Sequence, residues 1–132
     1  MRVFLDMNVL ASALATRGLC ADVLREVLSR HELLICAEVR AELARVLREK
    51  FGVPPRIVRD LARFLERETV SVPGAEPAGT GIRDKADRSI LGAALAGQAE
   101  LFITGDKELQ RVGRIASLRI LSPRQFWEVL RA

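Results

Sequence analysis

Apolar positions along the chain follow two different periods. Compact runs occur at Val3-Phe4-Leu5, Leu33 to Cys36, Leu101-Phe102-Ile103 and Leu118 to Leu121, with a looser one from Thr69 to Val72. Short runs bounded by polar residues suit strands of a buried sheet. Between them apolar residues recur every three or four positions, the spacing of a helix with one buried face. That spacing predicts helices from Asn8 to about Ala15, from Leu19 to about Arg30, and from the end of the second strand to Lys50. Further helices are predicted over about 55–67, 84–97 and 107–112, and a last one carries Phe126, Trp127 and Leu130. Thr16-Arg17-Gly18, Gly52 and Pro54-Pro55 separate these segments, and Pro at a helix start is preorganised for its first turn. The stretch 73–81, rich in Pro and Gly, reads as a mobile loop too short to divide the chain into domains.

Strands alternating with helices predict an α/β fold. The expected architecture is three-layer α/β/α around a central, mostly parallel sheet of about 4–5 strands, in a single domain over 1–132. A length of 132 residues gives room for one core. No apolar run is long enough to span a bilayer and the N-terminus lacks a signal-peptide pattern, so a cytoplasmic protein without a membrane partner is expected. Cys20 and Cys36 form no CxxC pair and lie within apolar patterns, which reads as reduced core residues. His31 is the one histidine, so a histidine zinc site or a Ser-His-Asp triad has little to draw on. The net charge of +4 permits an anionic partner without establishing one.

The chemistry lies with the acids. The first strand stops abruptly at Asp6, and the fourth ends at Thr104-Gly105-Asp106. Open α/β sheets bind ligands beyond the carboxyl ends of their strands. If these two strands are neighbours, Asp6 and Asp106 share a crevice. Asp87 opens the helix that precedes the fourth strand, at the same sheet edge. Of the glutamates on the third helix, Glu42 falls closest to the apolar stripe of Val39, Leu43 and Val46. Glu49 lies further off and Glu38 further still, at roughly 100° per residue. Four acids in one cleft would repel each other, and a divalent cation removes that conflict. Oxygen-only ligands favour Mg²⁺ or Mn²⁺ over zinc. Such an ion suits hydrolysis of a phosphate ester by activated water. Each acid also has a plainer reading. Asp6, Asp106 and Asp84 are placed as helix N-caps, Asp87 as the return acid of a capping box, and Glu42 as a solvated surface residue.

The same residues resemble a known family. Phe4-Leu5-Asp6-Met7-Asn8-Val9-Leu10 is similar to the opening "LDTNVL" pattern of PIN domains, with Met7 where Thr is usual. Arg40-Ala41-Glu42-Leu43 carries the family's helix-borne glutamate. Asp84-Lys85-Ala86-Asp87-Arg88-Ser89-Ile90-Leu91 resembles its third motif, and Phe102-Ile103-Thr104-Gly105-Asp106 its fourth. The closing Ile120-Leu121-Ser122-Pro123 with Phe126 resembles a subgroup described as toxin components of toxin-antitoxin pairs. The resemblance implies a Mg²⁺- or Mn²⁺-dependent endoribonuclease that leaves a 5′-phosphate and a 3′-hydroxyl. It implies Asp6, Glu42, Asp87 and Asp106 as metal-binding catalytic acids. Asp84 is a second-tier candidate, as ligand, water contact or cap. Asn8 and Thr104 would orient acids or water through their side chains. The substrate would be RNA, and VapC-type members pair with a small antitoxin and often form homodimers. Met7 removes a hydroxyl from the motif but no acid.

Basic residues offer contacts for an RNA backbone. Lys107 and Arg111 follow Asp106, and Arg88 adjoins Asp87. Arg56, Arg59, Arg63 and Arg67 form one ridge on the fourth long helix, either a phosphate-contacting ridge or a solvated face partly neutralised by Asp60 and Glu66. Phe126 and Trp127 read as core residues or as part of a dimer interface. Two other functions compete with the ribonuclease. One is a non-catalytic RNA- or partner-binding module on the same fold. The other is a phosphoaspartate signalling domain or phosphatase with Asp6 as nucleophile. Receiver domains carry adjacent acids near the first strand and a Lys after the fifth, and dehalogenase-like phosphatases want an Asp where Asn8 stands. Neither pattern is present.

Overall fold

The computed structural model describes residues 1–74, 82 and 84–131. Its elements run β1 (Arg2–Leu5), α1 (Met7–Ala15), α2 (Leu19–Arg30), β2 (Glu32–Cys36), α3 (Ala37–Glu49), α4 (Pro55–Glu68) and β3 (Val70–Val72). They continue with α5 (Lys85–Ala96), β4 (Leu101–Ile103), α6 (Lys107–Val112), β5 (Arg114–Ile115), β6 (Leu118–Leu121) and α7 (Pro123–Arg131). The predicted strands and helices are all present, with ends shifted by a residue or two. Most of the Pro/Gly-rich loop, residues 75–81, lies outside the described residues.

The strands form one sheet in the order β3-β2-β1-β4-β6-β5. All neighbours are parallel except β5, which pairs antiparallel with β6. The sheet is built outward in one direction as β1, β2, β3, and then in the other as β4 and β6. The reversal falls between β1 and β4, where Val3, Phe4 and Leu5 pair with Leu101, Phe102 and Ile103. Helices starting on either side of such a switch point diverge and leave a crevice at the carboxyl edge. Contacts of α1 with α2 and α3, of α3 with α4, and of α2 with α7 join these helices into one layer. The α5 helix packs on β2 and β3, and since the β3-to-β4 connection runs back across the sheet in the other direction, the right-handed rule for parallel crossovers puts α5 on the face opposite the first helices.

Val3, Phe4, Leu5, Leu33, Leu34, Ile35, Phe102 and Ile103 are all at most 2% exposed, as strands covered on both faces require. The Phe4 and Phe102 rings stack across β1 and β4 at 5.5 Å. Buried aromatic contact therefore fixes the two strands that end in Asp6 and Asp106. Phe126 is fully buried, as the helical pattern of α7 predicts. Trp127 is half-buried, with the Arg131 guanidinium 5.2 Å from its ring. Cys36 is buried, Cys20 is half-buried, and both are free.

β5 has no counterpart in the sequence reading. It is two residues long, too short to display a period, and it returns into β6 through Ala116-Ser117. Ala116 takes a φ of 52°, a left-handed conformation that Gly or Asn would have signalled.

Candidate active site

The crevice at the β1/β4 switch is a cavity of about 400 Å³ lined by acidic side chains. Asp6, Glu38, Glu42, Asp87 and Asp106 all contribute, together with Met7, Asn8, Val39, Ala86 and Ile90. No basic side chain is among these lining residues. The acids come from four places in the chain: the end of β1, the first half of α3, the first turn of α5 and the junction after β4.

Asp6 is held most firmly. Its backbone N–H donates to the Ile103 carbonyl at 2.9 Å, extending the β1/β4 ladder by one step. Its Oδ1 accepts the Met7 N–H at 2.8 Å, which makes it the N-cap of α1. Its Oδ2 accepts the Thr104 hydroxyl at 2.6 Å. Thr104 is wholly buried. Its hydroxyl also accepts the Asp106 N–H at 3.0 Å, so one buried oxygen ties both strand-end acids together. The Thr104 carbonyl accepts the Gln110 side-chain amide at 2.8 Å, anchoring α6 beneath the same loop. Asp106 caps α6, its Oδ1 accepting the Glu108 N–H at 2.8 Å and the Leu109 N–H at 3.4 Å. The capping and crevice readings therefore hold together: each strand-end acid caps a helix and faces the cavity.

The electrostatics reflect crowded like charge. Burial pushes the Asp6 carboxyl above its ordinary range, against the lowering effect of its bonds from Thr104 and Met7, and Asp106 adds repulsion. Asp87 is pushed up to about 6, first by burial and then by Asp84, Asp6, Asp106 and Glu108. Two carboxyls that resist ionising mark a site short of positive charge.

Glu42 lies on the cavity lining as expected, but its carboxylate is bound by the Arg45 guanidinium, which also pairs with Glu49 at 2.9 Å. That hydrogen bond lowers the Glu42 pKa. Glu38 also faces the cavity, although the helical stripe placed it furthest from the core. Stripe position measures burial against the helix layer. Nearness to the sheet edge instead favours the first turn of α3, where Glu38 sits one turn before Glu42. Asp84 stands apart from the lining residues. It is the N-cap of α5, accepting the Asp87 N–H at 3.1 Å. Asn8 lies on the lining and is exposed.

The crevice and the β1/β4 pairing set out a fold that a family model also matches. Residues 2–108 fit the model described as PIN domain, a span that includes every acid of the cavity. The chain belongs to the PIN domain family. No curated protein sequence matches the chain significantly. Among solved structures, VapBC2 from Rickettsia felis bound to a DNA fragment from its promoter contains a chain of the same fold. It is similar with a TM-score of 0.65 at 17% identity, covering 92% of this chain and 98% of that one.

The donor set of this PIN domain fits a hard divalent cation by its chemistry: carboxylate oxygens, excess negative charge and two acids with raised pKa values. Among the described residues, however, no three of the acidic, histidine or cysteine side chains converge on one ligating point. Glu42, one of the acids, is bound within α3 by Arg45.

The basic residues expected to meet RNA, Arg88, Lys107 and Arg111, lie outside the lining of the acidic cavity. Lys107 faces a second cavity between α6 and α7. Arg111 is exposed, in the last turn of α6. Arg88 is half-buried, and its Nε is buried without a partner. On α4, Arg56, Arg59, Arg63 and Arg67 are exposed, opposite the face carrying buried Val58 and Leu65. No described helix is long and apolar enough to cross a membrane by itself.

Proposed function

We propose that this PIN domain is a Mg²⁺- or Mn²⁺-dependent endoribonuclease, and that it is the toxin component of a toxin-antitoxin pair. The observation that supports this reading best is the gathering of Asp6, Glu38, Glu42, Asp87 and Asp106 around one cavity, with no cation among the described side chains that line it. Asp6, Asp87 and Asp106 would hold the ion, with Glu42 joining once released from Arg45 and Asp84 acting as a cap. A bound divalent ion there supplies Lewis-acid activation of water and neutralises charge on a phosphodiester. The chain's own part is positional. Thr104 orients Asp6 and the backbone of Asp106 through one hydroxyl, and Asn8 offers an amide at the cavity wall.

The toxin role rests on the closing Ile120-Leu121-Ser122-Pro123 segment and on the shared fold with a VapBC2 chain. A small antitoxin and a second copy of this chain are the partners it proposes. The expected outcome is cleavage of RNA that requires Mg²⁺ or Mn²⁺, ceases with EDTA, and is abolished by Asp6→Asn or Asp106→Asn. Asn is itself a good N-cap, so both variants should keep their fold. Metal-independent RNA binding without cleavage under any cation would favour the non-catalytic module instead.

A further inference from the structure

The acidic cavity would repel an RNA backbone everywhere except at the bound ion. A strand crossing it needs cations close by that are free to meet phosphate. Among the described residues, one such place adjoins the cavity at Asp106. Asp106 lines the acidic cavity, while its two chain neighbours, Gly105 and Lys107, line a second cavity of about 530 Å³. The two cavities therefore abut across a single residue. The second is walled by α6 and by the start of α7, with Ser122, Pro123, Arg124 and Gln125 on the lining.

Its charge differs in kind from that of the acidic cavity. Lys107 and Arg124 both face it, against one carboxylate, Glu128. Both cations are exposed, and among the described residues neither makes an ion pair or a side-chain hydrogen bond. On α3, which carries Glu38 and Glu42, the Arg45 guanidinium is already held by Glu42 and Glu49. Gly105, beside Asp106 in the chain, lines the second cavity. A Cβ built there would meet nothing within 4 Å, so the protein itself leaves that position bare.

We propose that the Lys107–Arg124 cavity is a backbone-phosphate subsite for single-stranded RNA, taking a phosphate beside the scissile one as the strand passes over Gly105. Guanidinium and ammonium groups would meet the phosphate, and the bare glycine would let the strand lie close to the backbone. The subsite rests on the ribonuclease reading of the acidic cavity, but its test does not. In EDTA, where cleavage is silent, a fluorescent oligoribonucleotide of about 12 nucleotides is titrated with wild type and with Lys107→Gln/Arg124→Gln. Two lost phosphate contacts predict about tenfold weaker binding near 0.1 M salt. They also predict a salt slope shallower by about 0.7, the value for the one single-strand phosphate the subsite holds. A control with the same charge change, Arg56→Gln/Arg59→Gln on α4, should bind like wild type. Gly105→Val should weaken binding while leaving the melting temperature unchanged, since its Cβ enters open space. Equal affinity of the Lys107/Arg124 variant and wild type would overturn the proposal, and so would an equal loss in the α4 control. Failure of metal-dependent cleavage with these binding results intact would instead count against the ribonuclease reading alone.

Discussion

At the scale of single residues, Thr104 connects the two strand-end acids. Its hydroxyl donates to Asp6 Oδ2 and accepts from the Asp106 N–H, so it holds a carboxylate and a backbone turn with one oxygen. Thr104→Val keeps the shape and removes both bonds. The Asp106 N–H and Asp6 Oδ2 each lose a partner, which at about 0.5–1.5 kcal/mol per bond costs about 1–3 kcal/mol of stability by thermal melting. Divalent-ion affinity by calorimetry should fall about 10–100-fold, as for other losses of a group that orients a ligand. Thr104→Ser should restore most of both.

The acids themselves predict a pH dependence. Asp87 has its folded pKa raised to about 6 from an ordinary 3.8, and Asp6 is raised as well. Between these values the folded chain binds protons more tightly than the unfolded chain. The Asp87 contribution to stability is therefore full below about pH 4 and is lost as pH rises through about 6, and Asp6 contributes in the same direction. Without metal, melting curves between these pH values should show a downward contribution with rising pH that Asp87→Asn flattens. With Mn²⁺ the sign reverses, because the ion competes with protons and stabilises more strongly as the acids ionise.

At the scale of elements, packing of β3 against the end of α5 is tight. Gly97 follows α5, and a Cβ there would lie 2.7 Å from Val72 Cγ1 and 3.2 Å from the Ala93 carbonyl. The Gly97 carbonyl accepts both Nε and Nη2 of Arg2, so it cannot swing away without breaking those bonds. Gly97→Ala should lower stability by about 1–3 kcal/mol in denaturant titrations, the usual cost of overpacking. Metal affinity should be unaffected, since the change lies at the other end of α5 from Asp87.

The elements were also the most legible level of the sequence. Strand runs such as Val3-Phe4-Leu5 and helix stripes such as Val39-Leu43-Val46 depend on burial alone, and burial leaves a period. Asp84, Gly97, Ser122 and Pro123 mark their helix ends by capping chemistry that is local to the chain. The placement of Asp6 and Asp106 followed because strand ends are positions along the sequence. What was not legible depends on side-chain direction or on very short structure. Glu38 reaches the cavity because α3 starts at the sheet edge. Glu42 is drawn to Arg45 by an ion pair one turn away, and Lys107 turns towards α7. β5 was invisible because two residues carry no pattern.

At the scale of the whole molecule, one sheet reversal decides where chemistry can happen. β1 and β4 lie side by side, joined by their ladder and by the Phe4–Phe102 stack, and both end in an acid. The α3 and α5 helices bring further acids from either side of the sheet. The cavity's charge is thus a product of topology, and the metal-dependent reading stands on that concentration of charge. The most direct test is calorimetric titration of the purified protein with Mn²⁺ near neutral pH, paired with thermal melting, in wild type and Asp6→Asn. The account predicts saturable binding to wild type, with stabilisation of about 2.7 kcal/mol at a hundredfold excess over Kd, and loss of both in the variant. Binding that survives Asp6→Asn unchanged would place the ion elsewhere. No binding to wild type, with or without a short RNA present, would leave the acids as helix caps and contradict the account.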